Sequence, residues 1–120
     1  MNYINKRIIG SDYENQSVEF LEKNGVVILE RNFRCSFGEI DIIGMDKDYT
    51  VFFEVKYRQN NIKGYPEEAV SYPKQKKISR VSDYYRVIHK ISEFEPLRFD
   101  VISIGNDEIR WIKNAFEYRR

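Results

Sequence analysis

Two short apolar stretches carry the residues best suited to chemistry. Gly38-Glu39-Ile40-Asp41-Ile42-Ile43 comes first, and twelve residues separate its Asp41 from Glu54-Val55-Lys56. Side chains alternate between the faces of a strand. Glu39, Asp41 and Ile43 should then share one face of the first strand, and Ile40 and Ile42 the other. On the second, Phe52, Glu54 and Lys56 share a face, opposite Val51, Phe53 and Val55. Asp46, Lys47 and Asp48 suit the turn between them. A hairpin centred between Lys47 and Asp48 sets Asp41 opposite Glu54 and Glu39 opposite Lys56, unless a bulge shifts the pairing. Opposed Cβ atoms lie about 4.5–5.5 Å apart, and two carboxylates that close repel unless a cation stands between them. Mg²⁺ suits such a gap, because it binds oxygen and needs only one or two carboxylates beside water and substrate phosphate.

An oxygen-lined divalent site next to a lysine suits phosphodiester hydrolysis. Asp41 and Glu54 would hold Mg²⁺ or Mn²⁺, which polarises the phosphoryl oxygen and acidifies bound water. Lys56 would orient that water or stabilise the charged transition state; as a general base it would have to release a proton that both carboxylates help it keep. The competing reading is a surface ion network of Glu39, Lys56 and Glu54, worth only ~0.2–1 kcal/mol per exposed pair. Against it, Asp41 and Glu54 sit within apolar strands, where an unpaired charge is costly. Other chemistries fit poorly. His89 has no ligand partners at zinc spacing and reads as a surface residue. There is no GxxxxGK phosphate loop and no GxSxG elbow. Cys35, the one cysteine, has no evident His partner and reads as a half-buried packing residue.

The pattern Asp41…Glu54-Val55-Lys56 resembles the PD-(D/E)xK nuclease signature. More of the chain resembles the YraN-like (UPF0102) family of small, mostly uncharacterised bacterial proteins. The matching pieces are Gly10 with Glu14, Asn24-Gly25, Arg31-Asn32-Phe33-Arg34, Gly38 to Ile43, Phe53 to Arg58, Glu67 to Val70, Lys74-Gln75 and Arg98-Phe99-Asp100-Val101. The resemblance implies a restriction-endonuclease-like core with Holliday-junction resolvases as distant structural relatives, and hence an endonuclease on DNA, branched DNA included. It also implies the Val55 carbonyl as a further metal ligand and Glu14 as an N-terminal acid approaching the site. A resolvase-like enzyme would cut two strands as a homodimer.

Elements must hold these groups in place. The expected fold is α/β, a mixed sheet of about five strands flanked by two main helices in the order α-β-β-β-α-β-β, in one domain. Residues 1–10 read as loose. Ser11-Asp12-Tyr13-Glu14 reads as a capping box opening a helix from Asp12 to Asn24, with Gly25 just past its end. Glu14 thus has two readings, cap or metal-site acid, which coexist if it turns to the metal only when one is bound. Tyr13, Ser17, Val18 and Leu21 form the stripe facing the sheet. Val26 to Phe33 is the first strand. Gln59 to Tyr65 reads as a connector that could also close over substrate. Pro66 opens a short helical turn with Glu67 and Glu68 at its positive end, and Pro73 breaks or restarts the helix. The next helix runs to Lys90, burying Ile78, Val81, Tyr85 and Ile88. Leu97 to Ile104 and Ile109 to Lys113 are strands joined by Gly105-Asn106-Asp107. Asp100 should be half-buried and paired with a nearby Arg or Lys. Trp111 reads as core or sheet-edge cover, and the tail from Phe116 to Arg120 could dock through Phe116 or stay mobile.

Charge is balanced overall, with 20 basic and 19 acidic residues, but not locally. From Lys74 to Lys90 there are six Lys or Arg and one acid, Asp83. Alone this is a solvated helix face; beside a carboxylate–lysine site it suits a nucleic-acid backbone. Lys74, Lys77, Arg80 and Arg58 are the candidate phosphate contacts. Tyr72 and Tyr84 could stack on bases but read more simply as packing. The sequence has no signal-peptide-like start and no membrane-length apolar run, so a cytoplasmic protein is expected. Two other functions stay open: a nucleic-acid-binding module that does not cut, and a protein-interaction scaffold using an apolar edge near Trp111.

Overall fold

The computed structural model describes residues 3–58, 70–105 and 108–120. The elements follow the order α1 (Tyr3–Lys23), β1 (Val27–Cys35), β2 (Gly38–Asp46), β3 (Tyr49–Tyr57), α2 (Tyr72–Ile88), β4 (Leu97–Ile104) and β5 (Ile109–Phe116). The five strands form one sheet in sequence order. β3 and β4 are parallel and the other neighbours antiparallel, as expected when α2 supplies the crossover that a parallel pair needs. This is the α-β-β-β-α-β-β order expected from the sequence. The connector at Gln59–Tyr65 and the turn at Pro66 with Glu67 and Glu68 lie outside the described residues, as do Asn106 and Asp107.

Each face of the sheet carries one helix. Ile43, Phe52, Phe99 and Val101 pack with Ile78, Val81 and Tyr85 of α2. Their strand neighbours Ile42, Phe53 and Ile102 pack with Leu21, Tyr13 and Val18 of α1. Alternation along β3 and β4 divides the two cores, and Ser17 is buried in the α1 layer beside Leu21. β2 crosses behind β1 closely at Gly44, where a Cβ would stand 2.9 Å from both Val26 Cγ1 and the Val27 carbonyl oxygen. β5 runs past the expected Lys113 to Phe116, which pairs with β4, is buried and stacks on Phe99, centroids 5.1 Å apart, on the α2 side.

Three helix boundaries differ from the sequence reading. α1 begins at Tyr3 and runs through Ser11, so residues 3–10 are helical rather than loose and Ser11 cannot be an N-cap. The Ser-x-x-Glu pattern is local, and nothing between Tyr3 and Ile9 breaks a helix. Its other end is as expected: Gly25 (φ +89°) lets the Val26 N–H donate to the Leu21 carbonyl and the Gly25 N–H to that of Glu22, a Schellman closure. α2 starts at Tyr72, before the expected Lys74, with Ser71 as N-cap and Pro73 in the first turn, where a missing N–H costs nothing. Ile88 is 47% exposed rather than buried. The helix stops there, Lys90 takes φ +54°, and the Ile91 N–H returns to the Arg86 carbonyl. Ile91, not Ile88, packs against the core. Among the described residues, no helix is long and apolar enough to cross a membrane.

Candidate active site

The β2–β3 ladder has the register that the Lys47-Asp48 turn predicts, from Asp46↔Tyr49 to Ile42↔Phe53. There it ends. β2 stays with β1 through Phe33↔Ile40, Arg34↔Glu39 and Cys35↔Gly38. β3 stays with β4 through Glu54↔Val101 to Tyr57↔Ile104. The sheet therefore forks, and Asp41 and Glu54 are the first residues beyond the last paired rung. The expected opposition of Glu39 and Lys56 is not made, because the strands have parted; Glu39 pairs with Arg34 at 3.1 Å.

The fork coincides with a change in the backbone of the neighbouring strand. Asn32 on β1 lies between the rungs Arg31↔Ile42 and Phe33↔Ile40, opposite Asp41, and has φ +52°, which Asn tolerates. At this point β2 changes sides. Ile42 packs in the α1 core but Ile40 in the α2 core, correcting the expectation that they share a face. The switch turns Asp41 toward the gap, where its Oδ2 accepts the Val55 N–H at 2.8 Å. The Arg58 N–H points to β4. By alternation, the Val55 N–H and carbonyl both point the other way, into the fork.

Charge concentrates in this gap. Glu54 is buried, at 6% exposure. Its Oε1 is 2.7 Å from Lys74 Nζ and 3.7 Å from Lys56 Nζ. Burial pushes the Asp41 carboxyl up to about 7, Glu54 and then Glu39 add to the rise, and the Val55 N–H and Lys74 oppose it. Burial draws the Lys74 ammonium down, but its bond to Glu54 and the charges of Glu54, Asp41 and Glu39 outweigh that and hold it above its ordinary range. All the carboxylate and carbonyl donors here are hard oxygens, the set that Mg²⁺ and Mn²⁺ accept.

The raised Asp41 pKa makes metal-free stability pH-dependent. In the unfolded chain this carboxyl titrates near 3.8, and in the folded chain near 7. Between those values the folded state binds more protons, so stability falls as pH rises through the window. The whole shift corresponds to about 4 kcal/mol at about 1.36 kcal/mol per unit. Water still reaches part of the group, and roughly half of that, about 2 kcal/mol, is expected to survive. Urea unfolding in EDTA at pH 5 and pH 8, the lower of which already lies above the unfolded value, should show rather more than half of this loss, about 1 kcal/mol, in wild type and not in Asp41→Asn. Parallel profiles for the two proteins would contradict it.

The other sequence candidates are placed around the fork. Glu14 Oε1 accepts from Arg31 Nε (3.0 Å) and Asn32 Nδ2 (2.8 Å), so this acid is turned to β1. Among the described residues, no three of His, Cys, Asp and Glu are grouped closely enough to hold a metal ion; Asp41 and Glu54 stand as a pair. Lys77 is exposed, with its Cβ 4.0 Å from where a Gly38 Cβ would be, at the edge of the opened strand. Arg80 is exposed, and Arg58 is half-buried at the end of β3. Tyr72 lies under Lys76 and Arg119, and Tyr84 rests on Phe33. His89 is an exposed helix cap stacked on Tyr85, and Cys35 is half-buried against the α2 core. Sequence reasoning missed the direct contact of Lys74 with Glu54. The signal was present in Ser71 and Pro73, which put Lys74 in the first turn of the helix after β3.

A model of the uncharacterised protein family UPF0102 matches residues 13–104, a span that includes every residue of the fork. The chain belongs to this family. A UPF0102 protein of Lachnoclostridium phytofermentans is 45% identical over 114 residues, covering 95% of this chain and 97% of its own. One from Clostridium botulinum strain Hall is 44% identical over 123 residues, covering 98% and 99%. The names of these UPF0102 proteins state no activity.

Proposed function

We propose that this UPF0102 protein is a metal-dependent nuclease, an endonuclease that hydrolyses phosphodiester bonds in DNA with branched or structured DNA in its substrate range. The observation that carries this reading is the fork itself. A sheet gives up backbone hydrogen bonds to open there, and the two acids of Asp41…Glu54-Val55-Lys56 stand at the opening. The pattern is similar to the PD-(D/E)xK signature of restriction-endonuclease-like enzymes. That likeness is also the only support for branched substrates and for a homodimer.

Asp41, Glu54 and the Val55 carbonyl are the groups that would hold Mg²⁺ or Mn²⁺. Bound there, the ion would supply Lewis acidity toward the phosphate and a more acidic water. Lys56, 3.7 Å from Glu54, offers positive charge to the oxygens that gain charge in the transition state. Lys77, Arg80 and Arg58 would track the phosphate backbone past the fork. DNA in the cytoplasm of a bacterial cell is the substrate this reading implies.

A second reading, a binding module that does not cut, has one observation in its favour: Lys74 already gives Glu54 a cation. Incubation with linear duplex, single-stranded and four-way-junction DNA in Mg²⁺, Mn²⁺ or EDTA separates the two. Cutting that requires a divalent ion, and that Lys56→Ala abolishes, is expected. Binding without cutting in any metal would favour the module, and equal trace cutting by wild type and Lys56→Ala would mean contamination.

A further inference from the structure

Lys74 is closer to Glu54 than the lysine of the signature is, at 2.7 Å against 3.7 Å. We propose that Lys74 is an exchangeable counter-ion: it holds Glu54 while no metal is bound, and moves to a nucleic-acid phosphate when a divalent cation takes its place. This rests on the metal-site reading above.

The argument is one of exclusion. Mg²⁺ sits about 2.0–2.1 Å from its oxygen ligands, and an ammonium within hydrogen-bonding distance of the same oxygen would be pressed against it. Two cations cannot share Glu54 Oε1 at those distances without strong repulsion. Glu54 cannot yield, since its side chain is 7% exposed on β3, a strand paired to β4. Lys74 can yield. Its side chain is 44% exposed, and it has four rotatable carbons and a point charge that needs no fixed fork. The acids it feels are Glu54, Asp41 and Glu39. The first two would be shared with the ion, and Glu39 is already paired with Arg34. Among the described residues, that leaves Lys74 no other acid at the fork, and the phosphate that enters with the substrate would become its partner. Lys74 and Lys77 are three residues apart on α2, so they are neighbours on its surface, and the released ammonium would extend the basic face already present.

The consequence is coupling. Metal binding frees one phosphate contact, and by linkage phosphate binding tightens the metal. A lysine that contacted phosphate regardless of metal would give no such term.

Fluorescence anisotropy with a labelled four-way junction reads this directly, using Ca²⁺ as an oxygen-seeking ion and EDTA as the metal-free arm. Lys74→Gln is expected to lose about tenfold in junction affinity in Ca²⁺, the scale of one charge-assisted bond, and less than about twofold in EDTA. Its salt slope should become shallower by about 1 in Ca²⁺ only. An equal loss in both arms overturns the exchange while leaving the metal site standing. Calorimetry of wild type with Ca²⁺ and Mn²⁺ provides the separate check; no binding of either ion removes the metal site, and the exchange with it. Should Lys74→Gln fail to fold by thermal melting, Lys74→Arg serves. Its guanidinium can grip a carboxylate through two bonds and is expected to weaken Ca²⁺ binding about threefold or more. Unchanged Ca²⁺ affinity in Lys74→Arg overturns the exchange.

Discussion

Glu54→Gln is expected to lower divalent-dependent DNA cleavage on the order of 10³-fold and to abolish measurable Mn²⁺ binding. The amide keeps the shape of the side chain but halves the carboxylate count of a site that has only two. It also removes the negative charge that Lys74 and Lys56 share. Lys56→Ala should behave differently. It deletes no oxygen donor, so Mn²⁺ should bind at least as well by calorimetry, while cleavage falls by a similar factor because the charge aimed at the transition state is gone. Lys56→Arg is not expected to rescue, since a wider planar fork cannot replace a point charge in a narrow gap. The pair of variants assigns roles that activity alone would merge. Loss of Mn²⁺ binding in Lys56→Ala would mean that the lysine builds the site rather than acts in it. Undiminished cleavage in Glu54→Gln would remove the nuclease reading.

The residues of the fork were legible in the sequence because two local rules met. Alternation set Glu54 and Lys56 on one face of β3, and the Lys47-Asp48 turn set the register that the ladder follows to Ile42↔Phe53. The fork was not legible, because what accompanies it is neither local nor periodic. It coincides with the left-handed conformation of Asn32 on a neighbouring strand and with β2 changing sides at Asp41. Strict alternation along β2 therefore misplaced Ile40. Lys74 was visible as part of a basic helix, but its partner Glu54 comes from a strand twenty residues earlier. Only the parallel crossover through α2 brings the start of that helix to the end of β3, the end of a parallel strand where sites form in α/β sheets. The Ser11 motif misled for the opposite reason: it is a local signal, and the seven residues before Gly10 continue the helix through it.

The buried charge on the other face of the sheet is expected to dominate stability rather than chemistry. Asp100 has no exposed surface, more buried than its alternation with Ile102 and Ile104 suggested. Arg98 binds it from Nε at 2.9 and 3.1 Å and from Nη2 at 2.9 Å. Trp111 Nε1 and the Asn114 N–H each donate to it at 2.8 Å. Arg98 Nη2 also donates to Asp46 at 2.7 Å, which ties the β2–β3 turn to β4 and holds the Asp46 carboxyl below its usual range. The partner expected for Asp100 is therefore Arg98, and Trp111 is its second donor as well as a half-buried cover for the α1 core. Arg98→Ala would leave a buried carboxylate without its cation, a change that costs about 3–5 kcal/mol. For a chain of this length that is a fall of roughly 15 °C in Tm. Adding Asp100→Asn should recover part of the loss, because the stranded charge and not the missing contact is its larger share. Differential scanning calorimetry of both variants checks this; a fall under about 1 kcal/mol, the range of an exposed pair, would show that the network is hydrated. The network lies in the α1 layer with Ile102 and Trp111, whereas Glu54 faces α2. Cleavage per folded molecule should therefore be unchanged in Arg98→Ala, which separates the groups that hold the sheet together from those at its opening.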